Sequence, residues 1–161
     1  KQIGYVLLLT TNYQLPTTNL TIVCPRDVFS QRLALEIKKR NLEKYVKTQG
    51  YLAPQVLKKL FLKSSLYVFP TLAEGFGIPG LNAMASNLPV AASNIPILRE
   101  VYGQAALYFD PTNPEDIASK IKKALVDSKV RKYLIDAGKK QVYKYSWNKM
   151  ARETLEVYEN Y

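Results

Sequence analysis

Residues 66–85 read Leu-Tyr-Val-Phe-Pro-Thr-Leu-Ala-Glu-Gly-Phe-Gly-Ile-Pro-Gly-Leu-Asn-Ala-Met-Ala, and this stretch decides the fold. Leu66–Phe69 is apolar throughout, as is typical of a strand that is buried on both faces of a sheet. Gly75 and Gly77 follow, and then a short helix is predicted over Pro79–Ser86, because proline is favoured at the first helical position. The stretch therefore predicts a strand, a glycine loop and a helix, in that order.

The same alternation continues on both sides of this stretch. Further strands are predicted at Leu20–Cys24, Tyr45–Thr48, Pro89–Ala92 and Ala106–Phe109. Further helices are predicted at Ser30–Arg40, Pro54–Lys63, Pro114–Val126, Val130–Gly138 and Trp147–Glu159. This order favours an α/β domain with a Rossmann-like, open parallel sheet flanked by helices, whose ligands bind at the carboxyl edge of the strands. The start, Lys1–Thr11, fits either a helix or a strand.

Length and composition predict one domain spanning residues 1–161, which we expect to be a fragment of a longer chain because no initiator Met is present. No apolar run reaches the ~18 residues of a membrane span. The single cysteine, Cys24, fits a reducing, cytoplasmic location, and its apolar surroundings favour a small buried residue over a reactive thiol. The absence of histidine excludes a Ser-His or Cys-His triad within this chain and argues against a metal site of the zinc type.

The net charge of +10 favours anionic partners, namely phosphates, nucleic acid, acidic lipid or an acidic neighbouring domain. Much of the excess lies on helix-like stretches such as residues 36–40 and 120–123, where charges usually form a solvated face. Nucleic acid is not expected as a partner, because the chain carries no recognition motif and no aromatic residues interleaved on a basic strand. Peripheral contact with an acidic membrane stays compatible with the charge.

The glycine loop carries the most chemical information. Gly75 and Gly77 allow the backbone to approach a ligand closely, and the free N–H groups of the following helix start can bind an anion. Glu74 can accept hydrogen bonds from two neighbouring sugar hydroxyls, and Asn82 falls about one turn into the helix, where it can face the same cleft. Residue chemistry alone leaves two alternatives open: a phosphate-and-polyol site, or a simple turn with Glu74 in solvent.

The stretch from Pro70 to Ala85 resembles the signature E-G-F-G-x-P-x-L-E-A-M-A of the group 1 (family 4) retaining glycosyltransferases. Further segments continue the resemblance in the family's order: 49–52, 88–94, 97–101, 105–111, 114–118 and 145–147. The resemblance implies the C-terminal, donor-binding half of a GT-B fold, with a nucleotide-sugar as substrate and no cofactor. It also implies an acceptor that is a glycan or a lipid-linked sugar, and hence a role in polysaccharide biosynthesis at the cytoplasmic face of a membrane.

The resemblance also implies roles for individual residues. Glu74 would orient the donor sugar as the catalytic side chain, without acting as a covalent nucleophile. Backbone N–H groups of the loop would hold the sugar and the diphosphate, and the positions concerned are Gly75, Phe76, Gly77 and Ile78. Asn82 would meet the ribose. Tyr51 and Leu52 would flank the base, although a half-buried packing role is favoured for the Tyr51 ring. Thr71 and Ser93 would line the cleft.

Two departures from the family pattern narrow the hypothesis. Position 82 is Asn where the family has Glu, which predicts weaker but real donor binding. By its spacing, Lys1–Thr11 aligns with the family's first helix, so the preceding strand and its Gly-Arg and Lys residues are expected to be missing. Arg26 and Arg99 are candidate substitutes, though surface charge is favoured for both. We expect no sugar transfer by this chain without the N-terminal domain of the parent protein.

Three rival functions stay open at this point. The altered residue Asn82 would suit a transferase-like subunit that binds ligand or regulates but no longer catalyses. A sugar-nucleotide epimerase or a phosphorylase-like enzyme would share the architecture, but would want a histidine or a cofactor lysine in this half. Nucleic-acid binding rests on charge alone.

Overall fold

The structure is a computed structural model, and it describes residues 6–11, 18–24 and 27–160. Within these residues the strands are β1 (Val6–Thr11), β2 (Thr18–Val23), β3 (Val46–Gln49), β4 (Leu66–Phe69), β5 (Val90–Ser93) and β6 (Ala106–Phe109). The helices are α1 (Val28–Lys39), α2 (Pro54–Lys63), α3 (Ile78–Ala85), α4 (Pro96–Tyr102), α5 (Pro114–Val126), α6 (Ser128–Val142) and α7 (Trp147–Glu159).

The strands form one sheet in the order β3-β2-β1-β4-β5-β6. β2 pairs with β3, β4 with β5 and β5 with β6, all in parallel, while β1 is antiparallel to both β2 and β4. Five strands therefore run in one direction, and their carboxyl ends share one edge of the sheet. The predicted fold class, an α/β domain with an open parallel sheet flanked by helices, is confirmed, except that β1 runs antiparallel to its two neighbours.

The expectation of a helix at Lys1–Thr11 is wrong for residues 6–11, and residues 1–5 lie outside the described ones. β1 fills the slot between β2 and β4, with Val6 opposite Val23 and Leu7 opposite Val68. As a strand in this slot, the run pairs its backbone donors and acceptors with β2 on one side and with β4 on the other. A helix beside the sheet would leave the facing edges of β2 and β4 unpaired. The place of the expected missing first strand is thus occupied by a reversed strand.

The sheet separates two hydrophobic cores. Tyr67 and Phe69 of β4 point into a cluster with residues of α2, α3 and α4, including Phe61, Met84 and Leu98. Leu66 and Val68 point to the other face, into a cluster with Phe109 of β6 and with Ile117, Ile121 and Ala124 of α5. Because every side chain of β4 is buried, the strand shows no polar alternation, as the sequence predicted.

Three helices differ from their predicted bounds: α1 and α3 by one or two residues at each end, and α6 by more. α6 does not stop at Gly138 but runs to Val142, because Gly138 is buried against α3: a Cβ at this position would lie 3.2 Å from Met84 Cβ. α4 is the helix that the alternation requires between β5 and β6, and its bounds were not predicted. Cys24 is buried, as its apolar surroundings predicted.

The last helix, α7, is the least covered element of the described chain and has no buried residue. It begins after Ser146, whose side chain accepts a hydrogen bond from the N–H of Lys149, as a capping serine does. None of the helices in the described ranges has the length and hydropathy that crossing a bilayer requires.

Candidate functional site

The glycine loop, residues 70–77, leaves β4 at the carboxyl edge of the sheet and leads into α3. Short local bonds shape it. The Thr71 hydroxyl donates to the Ala73 carbonyl at 2.7 Å, and the Gly75 N–H donates to Oε1 of Glu74 at 3.0 Å. The Thr71 side chain therefore contributes to the shape of the loop, and Glu74 keeps its second carboxylate oxygen for other partners.

Gly77 ends the loop in the left-handed region, with φ of 86° and ψ of 32°, and acts as the cap of α3. Only glycine takes this conformation without strain. A Cβ at Gly77 would also overlap Tyr102 and Leu98, and a Cβ at Gly80, one turn on, would overlap the Tyr102 ring. Both glycines are therefore required by close packing against α4.

Tyr102 of α4 anchors the end of the glycine loop from the core side. Its ring is fully buried, and its hydroxyl donates to the Gly77 carbonyl at 2.5 Å. Burial raises the pKa of Tyr102, and the nearby carboxylate of Glu74 raises it further. The phenol thus stays neutral and keeps its proton for this hydrogen bond. Tyr102 was not among the residues predicted from the sequence, because only the folded chain brings it against Gly77 and Gly80.

The start of α3 has three backbone donors without a partner in the described range 27–160. The N–H groups of Phe76, Gly77 and Ile78 make no hydrogen bond to any group in residues 27–160, whereas the Gly80 N–H donates to the Gly77 carbonyl. Unpaired N–H groups at a helix N-terminus carry partial positive charge and attract anions. The structure therefore brings together the backbone donors that the sequence predicted at these positions.

Glu74 lies beside these donors. The carboxylate is half-buried and forms no ion pair with any Lys or Arg in residues 27–160. A carboxylate without a cationic partner remains available to accept hydrogen bonds from hydroxyl groups. The alternative of a plain turn with Glu74 fully in solvent does not fit this placement.

Asn82 lines a groove of about 530 Å³ between α3 and α7, together with Phe76, Ile78 and residues of α7 such as Trp147. Its side chain is exposed. The Phe76 ring meets the Tyr145 ring edge-on at a centroid distance of 5.4 Å, which closes one end of this groove. Asn82 therefore shares a surface with two residues of the predicted site.

Tyr51 and Leu52 lie at a second cavity, of about 970 Å³, beyond the end of β3. Cys24 and Gln49 also line this cavity. Leu52 packs on the core, but the Tyr51 side chain is 84% exposed, so the expectation of a half-buried packing role for this ring is wrong. The structure places Tyr51 at the same edge of the sheet as the glycine loop, but in a different cavity from Asn82.

The remaining candidate side chains that the structure describes make contacts away from the glycine loop. The Ser93 hydroxyl is buried and donates to the Phe69 carbonyl at 3.2 Å, so it ties β5 to β4 instead of lining a cleft. Arg99 is exposed; its Nε donates to Asn94 Oδ1 at 2.6 Å, and its guanidinium lies 3.9 Å from the centre of the Tyr108 ring. This confirms the surface position expected of Arg99. Arg26 lies outside the described residues.

Solved structures of glycosyltransferases share this fold. Sucrose-phosphate synthase from Thermosynechococcus elongatus matches with a TM-score of 0.79 at 22% identity, over 87% of this chain and 37% of that one. HepE from Anabaena, in complex with UDP, matches with a TM-score of 0.70 at 21% identity, over 83% and 37% of the two chains. The C-terminal domain of LpcC, a group 1 family glycosyl transferase from Francisella tularensis, matches with a TM-score of 0.63 at 27% identity, over 74% and 64%.

Curated relatives show closer sequence similarity. O-antigen chain mannosyltransferase B of Escherichia coli is 31% identical over 122 residues, which are 76% of this chain and 32% of the relative. O-antigen chain mannosyltransferase RfbU of Salmonella typhimurium is 38% identical over 104 residues, 65% of this chain and 30% of the relative. The chain thus spans about a third of the length of these relatives.

The family model of the glycosyl transferases group 1 matches residues 6–141, most of the chain. The match contains the glycine loop, Glu74 and the helix start at Ile78, so the resemblance and the geometry concern the same residues. The chain belongs to the group 1 glycosyltransferases.

Proposed function

We propose that this chain binds the nucleotide-sugar donor of a retaining glycosyltransferase, at the glycine loop and the start of α3. One observation carries the proposal: three unpaired N–H groups, of Phe76, Gly77 and Ile78, lie beside a half-buried Glu74 that has no cationic partner among residues 27–160. Such donors suit a diphosphate, and such a carboxylate suits sugar hydroxyls. The UDP named in the HepE complex supports a nucleotide ligand for this fold.

In this proposal catalysis consists of positioning and charge stabilisation. The free N–H groups stabilise negative charge that develops on the leaving diphosphate. Glu74 orients the sugar, Gly75 gives room for its close approach, and Thr71 holds the loop in shape. Asn82 meets the ribose, and Tyr51 and Leu52 flank the base. The nucleotide-sugar is a substrate, and the proposal assigns no step to a metal or a cofactor.

We further propose that the sugar transferred is mannose, because the relatives at 31% and 38% identity are named mannosyltransferases of O-antigen chains. The acceptor is then a growing glycan or a lipid-linked sugar, met at the cytoplasmic face of a membrane where the basic surface assists. Acceptor binding falls to a second domain, since this chain spans about a third of its relatives. By itself the chain binds donor without turnover.

Calorimetric titration tests the proposal with GDP-mannose, UDP-glucose and ADP-glucose. The wild-type chain should bind GDP-mannose, and Glu74→Gln should weaken that binding about tenfold while leaving GDP binding within twofold, because the lost charge-assisted bonds go to the sugar. Glu115→Gln, an exposed change in the first turn of α5, serves as the control and should bind like wild type. Binding of none of the three nucleotide-sugars, or equal loss for GDP, would refute the proposal.

A second candidate function uses the same donor site. Asn82 lacks the charge of the family's glutamate, which favours a transferase-like subunit that binds donor but no longer catalyses. Both candidates predict donor binding, so they differ only in turnover by a protein that contains this chain and an acceptor domain. Mannosyl transfer to an acceptor glycan supports the first candidate, and tight binding without transfer supports the second.

A further inference from the structure

The connection between α6 and α7, residues 143–146, touches the glycine loop through Tyr145. The Tyr145 ring meets the Phe76 ring edge-on, with 5.4 Å between the ring centres and an angle of 87° between the ring planes. Aromatic pairs favour this arrangement, in which the edge of one ring meets the face of the other, so the contact orients the two rings relative to each other. It joins two segments that are far apart in the sequence.

Tyr145 is itself anchored to α4. Its hydroxyl donates to the Val101 carbonyl at 3.1 Å, and its side chain packs on the core cluster that contains Val101 and Tyr102. Tyr102, the next residue of α4, donates to the Gly77 carbonyl. Two neighbouring residues of α4 are thus linked to two neighbouring residues of the loop, to Phe76 through the Tyr145 ring and to Gly77 through the Tyr102 hydroxyl.

The Phe76 N–H depends on such a contact to keep one direction. It belongs to the peptide that follows Gly75, and it has no partner in residues 27–160. A Cβ at Gly75 would meet no atom within 4 Å, so packing does not confine this backbone, and glycine permits a wide range of dihedral angles. The Phe76 ring, held by Tyr145, therefore limits how far the peptide can turn.

We propose that Tyr145 is a positioning residue of the donor site: its ring holds the Phe76 ring and thereby keeps the Phe76 N–H directed at the diphosphate. The inference rests on the proposed donor site. Tyr145 acts through Phe76 and makes no contact with the donor itself. Tyr102 fixes the end of the loop from the core side, and Tyr145 fixes it from the side of α7.

The ring and the hydroxyl of Tyr145 can be tested separately on the 161-residue chain. Calorimetric titrations use GDP, UDP and ADP and are read with the one that wild type binds most tightly, which we expect to be GDP. Tyr145→Leu removes the ring contact and should weaken binding about fivefold, as expected when one charge-assisted hydrogen bond to phosphate is weakened. Tyr145→Phe should bind within about twofold of wild type, because the edge-on contact is retained.

The matched control is Tyr143→Leu, in the same connection, at a side chain that is 89% exposed. It should bind the nucleotide like wild type. A loss equal to that of Tyr145→Leu would show that any change in this connection disturbs the site, and would overturn the specific role of the Tyr145 ring.

A double-mutant cycle shows whether Tyr145 acts through Phe76. Phe76→Leu alone should weaken nucleotide binding about as much as Tyr145→Leu does. Adding Tyr145→Leu to it should then cost less than about twofold more, because the ring contact is already absent. Losses that combine in full would mean that the two side chains act independently, and would overturn the inference.

Unfolding by denaturant separates positioning from support of the fold. Tyr145→Phe loses the bond to the Val101 carbonyl, so its unfolding midpoint should fall while its nucleotide affinity is kept. If Tyr145 only supported the end of α4, affinity would instead follow the midpoint in both variants. Unchanged affinity in Tyr145→Leu, or an equal loss in Tyr145→Phe, would overturn the inference alone. Failure of the wild-type chain to bind any of the nucleotides or nucleotide-sugars would overturn the proposed function, and the inference with it.

Discussion

Two connections leave the same edge of the sheet and are built in opposite ways. The glycine loop, residues 70–77, is fastened by the Tyr102 hydroxyl and by Gly77 and Gly80, which have no room for a side chain. The connection at residues 50–53, after β3, makes no side-chain hydrogen bond to the described residues, and Ala53 precedes α2 without a side-chain cap. One connection is held by a hydrogen bond and close packing from inside the core, and the other meets the core through Leu52 while Tyr51 stays exposed.

The two connections would contact different parts of the proposed nucleotide-sugar, and each has a structure that suits its part. Backbone donors that stabilise a diphosphate act best when they are already fixed, because no reorganisation is then needed during the reaction. A flat base can be held by an exposed ring such as Tyr51, for which position matters less than area. We infer that the glycine loop is preorganised to bind a negatively charged group, while residues 50–53 supply a surface against which the base packs.

The largest expected effect comes from filling the space under the glycine loop. In Gly80→Ala the new Cβ would overlap the buried Tyr102 ring, so we expect a loss of about 3 kcal/mol in unfolding free energy. Gly75→Ala is the matched control, because no atom lies within 4 Å of its Cβ, and it should change stability by less than about 0.5 kcal/mol. Denaturant unfolding measures the unfolding free energy of both variants. Equal losses would contradict the conclusion that the backbone is closely packed at Gly80 and open at Gly75.

Alkaline pH should weaken the same region next. The pKa values of Tyr67 and Tyr102 are raised in the folded protein by burial, so both keep protons that the unfolded chain releases above pH ~10. The contribution of the two tyrosines to the unfolding free energy is therefore fully present below pH ~10. It is lost as pH rises toward the folded pKa values, by about 1.4 kcal/mol per tyrosine at pH 11. Unfolding curves between pH 8 and pH 11 measure the loss. Tyr102→Phe should show a shallower decline, and an identical decline would contradict this assignment.

The smallest effect is expected at the open connection. Tyr51→Ala should leave the unfolding free energy within about 0.5 kcal/mol of wild type, because the side chain is 84% exposed. Nucleotide affinity should fall by about 1 kcal/mol through loss of stacking, as measured by titration with GDP. Tyr143→Ala, at a side chain that is 89% exposed, is the control and should alter neither quantity. A large stability loss in Tyr51→Ala would show that the Tyr51 side chain is also part of the packed core.

Strong local signals made most of the fold predictable from the sequence. Leu66–Phe69 and Ala106–Phe109 were predicted to the residue, since short apolar runs bounded by turn residues admit few other structures. The helices at Pro54–Lys63 and Pro114–Val126 were likewise predicted to the residue, because each opens with proline. Residues 6–11 were mispredicted because helical spacing and a short apolar strand cannot be told apart there.

The candidate site divides in the same way. Glu74 and the unpaired donors at the start of α3 could be predicted, because loop, helix start and carboxylate are adjacent in sequence. Tyr102 could not, since its bond to Gly77 joins residues 25 apart, and only the folded chain brings them together. Tyr67 looks like one more apolar strand residue, and only the fold reveals that its hydroxyl has no partner among the described residues.

The contact between Gly138 and Met84 has a consequence for how this chain can diverge. At this crossing of α3 and α6 a Cβ on residue 138 would press on the Met84 side chain, so the two positions share one fixed volume. A larger residue at 138 requires a smaller one at 84, and the two should change together among descendants of this sequence. The backbone donors of the candidate site lie at the start of α3. A substitution at residue 138 of α6 is therefore expected to affect the position of these donors through Met84.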